Sequence, residues 1–275
     1  MHGPPVSQPA TEEALVRRLR AAGCVFAEEE AALILEQAGT AADPAAEAER
    51  LAGARVGGLP LEVVLGWAEL AGVRVVVEPG VFVPRRRTEL MVATAVELGA
   101  ARPEGPLVLL DLCCGSGAVA VAVTHGLGRR GRTVEVTAAD LDDAAVRCAA
   151  RNLPGARVLR SDLFADLPVD LQGRVDLLTA NVPYVPTGAV ALMPREAREH
   201  EPRMALDGGD DGLVVLRRVA AQAPAWLAPG GSLLVETSEE QEPTAVAVLA
   251  DAGLDAGSRA DDELGATVVV GTQPG

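Results

Sequence analysis

Lysine is missing from all 275 residues, so every one of the 24 basic side chains is an arginine. That excludes a P-loop with its phosphate-binding lysine and any Schiff-base enzyme, two large classes at once. Aromatic residues are nearly as scarce and amount to Phe26, Trp67, Phe82, Phe164, Tyr184 and Trp226. A groove that stacks successive bases needs several in a row, which disfavours single-stranded nucleic acid as the main ligand. Basic charge is also in deficit, 24 residues against 39 acidic ones for a net charge of -15. Such a chain has nothing systematic with which to displace counterions from a phosphate backbone, so stable nucleic-acid binding is not expected.

Four cysteines, Cys24, Cys113, Cys114 and Cys148, form no CxxC pair. Neither a disulfide framework nor a zinc site is indicated, and His2, His125 and His200 lack ligand spacing, so no metal is assigned. Charge-free apolar runs such as Ala118 to Val123 are too short to span a bilayer. The Pro-rich start, Met1 to Pro9, has no basic n-region and no apolar h-region. A cytoplasmic protein without a membrane span is expected.

What the chain does have is apolar content, 49% of its residues, enough for a large core. Residues from Thr11 to about Gly72 read as helical: Thr11 with Glu12 and Glu13 resembles a capped start, Leu15, Val16 and Leu19 recur at helical spacing, and further segments cover Glu28 to Gln37 and Leu61 to Leu70. Val73 to Val77, a Glu78-Pro79-Gly80 turn and Val81 to Val83 read as a hairpin. This gives a helical domain over residues 1–72, a hairpin linker over 73–84 and a second domain over 85–275. In the second domain strand-like runs at Leu107–Leu112, Val134–Ala139, Arg157–Leu159, Val175–Ala180, Ser232–Glu236 and Thr267–Val270 alternate with helical candidates. The pattern predicts an α/β fold with a mainly parallel, doubly wound sheet, whose ligands bind beyond the carboxyl ends of the strands.

Two turns fall at such ends. The first, Asp111-Leu112-Cys113-Cys114-Gly115-Ser116-Gly117, leads from a strand into a helix, and its glycines let backbone approach a ligand at the helix N-terminus. Asp140 ends the next strand, followed by Leu141, where an acid accepts from ribose hydroxyls. Asp162, after the third strand, offers an acceptor for an exocyclic amine, with Leu163 against the base. Singly, each acid reads as a solvated turn or cap residue. A dinucleotide reading also fits Gly115 to Ala120 and Asp140, but leaves Asp111 and the second turn unexplained; S-adenosylmethionine, with a ribose, an adenine and a charged amino-acid end, fits better.

The second turn is Asn181-Val182-Pro183-Tyr184, directly after the run Val175–Ala180. Taken alone it is equally an ordinary strand-ending bend. Beside a methyl donor it acquires a chemistry: an amide nitrogen is a poor nucleophile, and a site that methylates it must hold both N–H protons on acceptors so that the lone pair faces the methyl. The Asn181 side-chain carbonyl and the Val182 backbone carbonyl are two such acceptors, Pro183 restricts the backbone, and Tyr184 covers a planar group.

These residues resemble the HemK-type protein N5-glutamine methyltransferases that modify peptide chain release factors. Asn181 to Tyr184 is similar to that family's Asn-Pro-Pro-Tyr motif, and Asp111 to Gly117 to its Asp-x-Gly-x-Gly-x-Gly loop. Gly58-Leu59-Pro60-Leu61 with Leu65-Gly66, and Pro84-Arg85-Arg86-Arg87-Thr88-Glu89, resemble further family segments. Glu201 to Leu213 resembles the segment downstream of the active turn, which nucleobase-amino methyltransferases with a related turn are not expected to carry. The resemblance runs from about Gly57 to the C-terminus. It implies a Rossmann-like, S-adenosylmethionine-dependent methyltransferase sheet of seven strands, joined to a small N-terminal helical domain that helps dock the substrate. The implied acceptor is the glutamine of a release factor's Gly-Gly-Gln tip, with Arg85, Glu201 and Pro202 near it. Val182 stands where the family has its first proline, Cys113 where it has the first glycine, and Arg86 and Arg87 where it has Pro and Glu. Cys113 is compatible with the loop if its φ is negative. Glu236 reads as structural, before a helix capped by Thr237 or Ser238. Two other readings remain at this level: a nucleobase amino methyltransferase, or a cofactor-binding protein without turnover.

Overall fold

The computed structural model describes residues 12–275, which divide after Gly66 into two units. The capping role expected of Thr11, the start Met1 to Pro9 and His2 lie outside the described residues. Among the described residues the first unit holds four helices, α1 (Glu12–Ala21), α2 (Ala27–Ala38), α3 (Pro44–Val56) and α4 (Leu61–Leu65). Leu15, Leu19, Ile34 and Leu51 close its core at 1% exposure or less. Asp43 caps α3 by accepting from the Ala46 amide at 3.1 Å, with Pro44 in the first turn where a missing N–H costs nothing. Glu30 of α2 and Arg55 of α3 form a bidentate pair at 2.6 and 3.0 Å, largely withdrawn from solvent.

The expected helix Leu61 to Leu70 stops early. Gly66 takes φ +81 and returns its N–H to Glu62, a left-handed cap that ends α4. The chain then enters β1 (Trp67–Leu70), which pairs antiparallel with β2 (Val73–Val76). The hairpin is therefore Trp67 to Val76, not Val73 to Val83, and it belongs to the second unit. Its two-residue loop, Ala71 and Gly72 at φ 50 and 75, has the doubly left-handed geometry whose twist suits the flanking strands. The Glu78-Pro79-Gly80 turn exists, closed by Val81 N–H on the Glu78 carbonyl, but the chain beyond it pairs with no strand.

Next in order come α5 (Glu89–Ala101), β3 (Leu107–Leu112), α6 (Ala118–Gly128), β4 (Val134–Asp140), α7 (Asp143–Asn152), β5 (Arg157–Arg160) and β6 (Val175–Ala180). The chain finishes with α8 (Arg195–His200), α9 (Val214–Ala220), β7 (Leu227–Thr237), α10 (Glu242–Asp251), β8 (Asp255–Asp261) and β9 (Ala266–Thr272). The seven-stranded sheet has the order β5-β4-β3-β6-β7-β9-β8, with β9 antiparallel to β7 and to β8. β3 is buried at all six positions, as a strand covered on both faces must be. The edge strand β8 reads DAGSRAD, with no apolar run to mark it in the sequence.

From β3 the chain winds outward through β4 to β5, then returns to place β6 on the other side of β3. The two neighbours share a register that pairs Leu112 with Ala180. The order of strands reverses between them, so their carboxyl ends open the crevice in which doubly wound sheets bind ligands. Asp111 and Asn181, 70 residues apart in the sequence, emerge side by side there.

Candidate active site

A single cavity at this crevice is lined by residues of both turns, from Asp140 and Leu141 past Asp111 and Gly115 to Asn181 and Tyr184. Cys113, Asp162, Leu163, Val182, Pro183, Arg85 and Pro202 also line it; Gly117 and Glu201 do not.

The cofactor side is built on backbone. Gly117 opens α6 at φ +78, and a Cβ there would meet Leu153 at 3.0 Å, so its glycine serves packing. Gly115 has φ +56, and the nearest atom to a Cβ is Phe82 Cβ at 4.0 Å, so it leaves open space beside the cavity. Cys113 corrects an expectation: its φ is +52, in the left-handed region, not negative. Burial, then the nearby Asp140 charge, pushes its thiol well above the ordinary range, which makes it a poor nucleophile. Asp140 accepts from the Gly115 amide and the Asp142 amide, each at 2.9 Å, and so fastens the loop with the same carboxylate expected to meet a ribose. Each of its oxygens keeps a second lone pair.

Asp111 is 1% exposed, and its Oδ1 accepts from the Thr179 hydroxyl of β6 at 2.7 Å. Its Oδ2 meets no donor in good hydrogen-bond geometry among the described residues, the Ala120 amide of α6 being the backbone donor that bears on the carboxyl. Desolvation pushes this carboxyl up to about 7, against the weaker effects of Thr179 and the first turn of α6. A buried carboxylate with an unpartnered oxygen at a ligand cavity fits a cationic ligand group, as the amino and sulfonium centres of S-adenosylmethionine are. Asp162 is already paired: Arg218 of α9 donates one Nη2 to both its oxygens, at 2.9 and 2.8 Å, with the pair about half exposed. Leu163, at φ +54 and buried, lines the cavity.

The acceptor side hangs from β6. The Asn181 amide nitrogen donates to the Thr88 hydroxyl across a long 3.5 Å, while its oxygen carries no bond among the described residues. The Val182 carbonyl is likewise without a hydrogen bond among the described residues. The Val182 side chain is 2% exposed and joins the main core cluster, so packing immobilises this position where a proline ring would. Behind the turn, Val185 N–H bonds the Leu206 carbonyl and Gly208 N–H bonds the Val185 carbonyl, forming a parallel bridge between Val185 and Asp207. A Cβ on Gly208 would lie 2.6 Å from the Pro183 carbonyl oxygen, and one on Gly212 2.2 Å from that of Tyr184. The Leu206 to Gly212 stretch therefore supports the turn from behind.

Two assignments change. Glu201 does not line the cavity: its side chain is 1% exposed, its Oε1 is ion-paired to Arg85, which itself lies 5.2 Å above the Phe82 ring, and its Oε2 is buried without a partner among the described residues. Burial raises its carboxyl although Arg85 opposes the shift. Glu236, read from the sequence as structural, is a hub beneath the site. At 2% exposure it accepts from Thr88 Oγ1 at 2.7 Å, Tyr184 Oη at 2.9 Å and Arg87 Nε at 3.1 Å. Burial and then the Glu236 charge push the Tyr184 phenol upward, so it stays neutral. An acid at the end of an apolar strand is the only sequence signal for it. The helix cap expected there is partial: Ser238 Oγ accepts from Gln241 N at 3.3 Å, before α10 begins. Among the described residues no group of His, Cys, Asp and Glu has the arrangement of a metal site, and no helix is long and apolar enough to cross a membrane.

A seven-stranded sheet of this order, with a glycine turn, three acids and an Asn-x-Pro-Tyr turn around one crevice, defines a Rossmann-like, S-adenosylmethionine-dependent methyltransferase. Among solved structures it is similar to the T. thermophilus 16S rRNA N2 G1207 methyltransferase in complex with AdoMet and guanosine, at 22% identity and a TM-score of 0.51 over 75% of this chain and 49% of that one. No protein-family model matches the chain. Release factor glutamine methyltransferases of Geobacter sulfurreducens and Bordetella pertussis are 36% and 40% identical to it over 220 residues, 78% and 77% of this chain and 74% and 77% of theirs. The Streptomyces coelicolor protein of the same name is 37% identical over 184 residues, and the chain spans 64% of that relative's length. The chain belongs to the release factor glutamine methyltransferase family.

Proposed function

We propose that this chain transfers a methyl group to the side-chain amide nitrogen, N5, of a protein glutamine, in the Gly-Gly-Gln motif of a peptide chain release factor. The observation that carries the reading is the pair of unengaged carbonyls, Asn181 Oδ1 and Val182 O, on one turn adjoining the Asp111 side of the cavity. Two acceptors on one rigid turn match the two N–H bonds of a primary amide. Holding both leaves the nitrogen lone pair as the only outward feature of the group.

S-adenosylmethionine supplies an electrophilic methyl on a sulfonium centre. Asp111, Asp140, the Gly115 backbone and Leu163 are the residues that would hold it, with Asp162 available on parting from Arg218. Asn181, Val182, Pro183 and Tyr184 would orient the acceptor, with the Tyr184 ring over the planar amide, and Arg85 and Pro202 would border it. No strong base is required: the nitrogen becomes strongly acidic on methylation and sheds one proton. The helical unit would serve in docking the substrate protein.

One observation favours a second acceptor class. The 4-amino-L-phenylalanine/4-methylamino-L-phenylalanine methyltransferase of Streptomyces pristinaespiralis is 39% identical over 188 residues. An arylamine, like an amide, has a delocalised lone pair on a planar NH₂ and would occupy the same acceptors. The test is incubation of the full chain with labelled S-adenosylmethionine and, separately, a release factor, 4-amino-L-phenylalanine, DNA and RNA. Label on the Gly-Gly-Gln glutamine supports the first reading; label on the arylamine or on nuclease-sensitive material alone overturns it.

A further inference from the structure

A carboxamide is nearly symmetric in shape, yet only one end of it can accept a proton. If Asn181 turned over, its NH₂ would face the acceptor nitrogen and repel the N–H bond that its oxygen should accept. Something must therefore decide which end points outward. We infer that Glu236 is a positioning residue that makes this choice, acting through the Thr88 hydroxyl; the inference rests on Asn181 being the acceptor-binding residue proposed above.

Each bond takes its direction from the chemistry of its partners. Arg87 Nε only donates, so at 3.1 Å it requires Glu236 Oε1 to be an acceptor, as does the Tyr184 hydroxyl at 2.9 Å. The other oxygen, Oε2, takes the Thr88 hydroxyl at 2.7 Å. A hydroxyl has one proton, and Thr88 spends it on Glu236. Toward Asn181 it presents lone pairs, so the nearer end of the carboxamide must be Nδ2, as found, and Oδ1 must face the cavity. The 3.5 Å contact is long, as catalytic hydrogen bonds often are before substrate tightens them.

Glu236→Gln reverses this chain of bonds. The guanidinium still demands an oxygen, to which the phenol can go on donating, so the new Nε2 turns to Thr88. The hydroxyl proton then points at Asn181 and draws Oδ1 inward. Thr88→Val removes the intermediary and leaves the carboxamide without direction. Each variant lowers kcat on a Gly-Gly-Gln peptide on the order of 10²-fold, the scale of a misplaced reacting group, with cofactor affinity unchanged. Thr88→Ser, which keeps the hydroxyl, restores most of the rate.

Two measurements separate this role from a merely structural one. The double variant Glu236→Gln, Thr88→Val turns over no more slowly than Thr88→Val alone, because the glutamine oxygen goes on holding Tyr184 and Arg87 and only the route through the hydroxyl is changed; multiplied losses overturn the inference. The second needs no turnover. The chain contains two asparagines, Asn152 and Asn181, so selective ¹⁵N-asparagine labelling gives two side-chain NH₂ pairs. Asn152 donates to the Val76 and Ser116 carbonyls and serves as the internal reference. Both Glu236→Gln and Thr88→Val shift the Asn181 pair and leave Asn152 in place; an Asn181 pair that ignores Glu236→Gln overturns the inference. Should the wild-type chain methylate no peptide while Asn181 still responds, the positioning role stands and the choice of acceptor is what fails.

Discussion

The side-chain amide of Gln241 donates to the backbone carbonyl of Tyr184 at 2.9 Å, and at the same distance to that of Asp211. One side chain, just ahead of α10, thus ties the acceptor turn to the glycine-rich segment behind it. The resemblance of Glu201 to Leu213 to family sequences has its physical basis here: Gly208 and Gly212 allow the two backbones to touch.

Gly208→Ala would place a methyl 2.6 Å from the Pro183 carbonyl oxygen, forcing backbone to move at the acceptor turn. We expect a loss of about 2 kcal/mol or more in stability, and a fall in kcat with cofactor affinity retained. Gly188→Ala, where nothing lies within 4 Å of the new atom, is the matched control and leaves both unchanged. Urea unfolding and steady-state kinetics on the two variants check this.

Asn181→Ala should lower kcat by about 10² to 10³, the usual effect of deleting one positioned polar group. Its cofactor dissociation constant should stay near wild type. Asp140→Ala should do the reverse in part, weakening the cofactor on the order of tenfold or more, because the carboxylate also pins Gly115 and Asp142. Calorimetric titration beside initial rates distinguishes the two, and normal transfer by Asn181→Ala would remove it from the acceptor role.

Asp111 gives a pH signature. Its carboxyl sits at about 7, above the ordinary 3.8, so the folded chain binds more protons than the unfolded one between those values. Stability from this group is therefore greatest at low pH and declines as pH rises toward 7. A cationic cofactor favours the ionised form, so its affinity should rise about tenfold from pH 6 to pH 8, with proton release on binding. Titration in buffers of different ionisation enthalpy reads the proton directly, and Asp111→Asn should abolish both the release and the slope.

Cys113 holds φ +52, where a Cβ costs about 1 to 2 kcal/mol. Cys113→Val, β-branched in the same conformation, should be less stable than Cys113→Gly by about 1 to 2 kcal/mol. Thermal unfolding of the pair measures it. Equal stability would mean that packing of the side chain, not backbone strain, dominates this position.

Much of this architecture is written in local pattern. The strands Leu107–Leu112 and Val175–Ala180 are legible to the residue, because parallel strands buried on both faces are mostly apolar and bounded by polar turns. Asp111, Asp140 and Asn181 are marked by their place at strand ends. The hairpin is misplaced by pattern alone because Trp67–Leu70 continues the apolar spacing of the helix before it, and only the left-handed Gly66 cuts the two apart. β8 escapes notice because an edge strand need not be apolar.

The class of fold, the two turns and the chemistry each offers are readable from the amino-acid order, since these depend on residue types at short spacing. It took the packed structure to show that Asp111 is buried with an unpartnered oxygen, that Glu201 is buried on an ion pair with Arg85, and that Val182 is held by the core. The same packing puts the Thr88 hydroxyl between Glu236 and Asn181, 55 residues apart in the sequence. Burial and hydrogen-bond direction are properties of what surrounds a group, and the sheet brings those surroundings together from β3, β6, β7 and the residues ahead of α5.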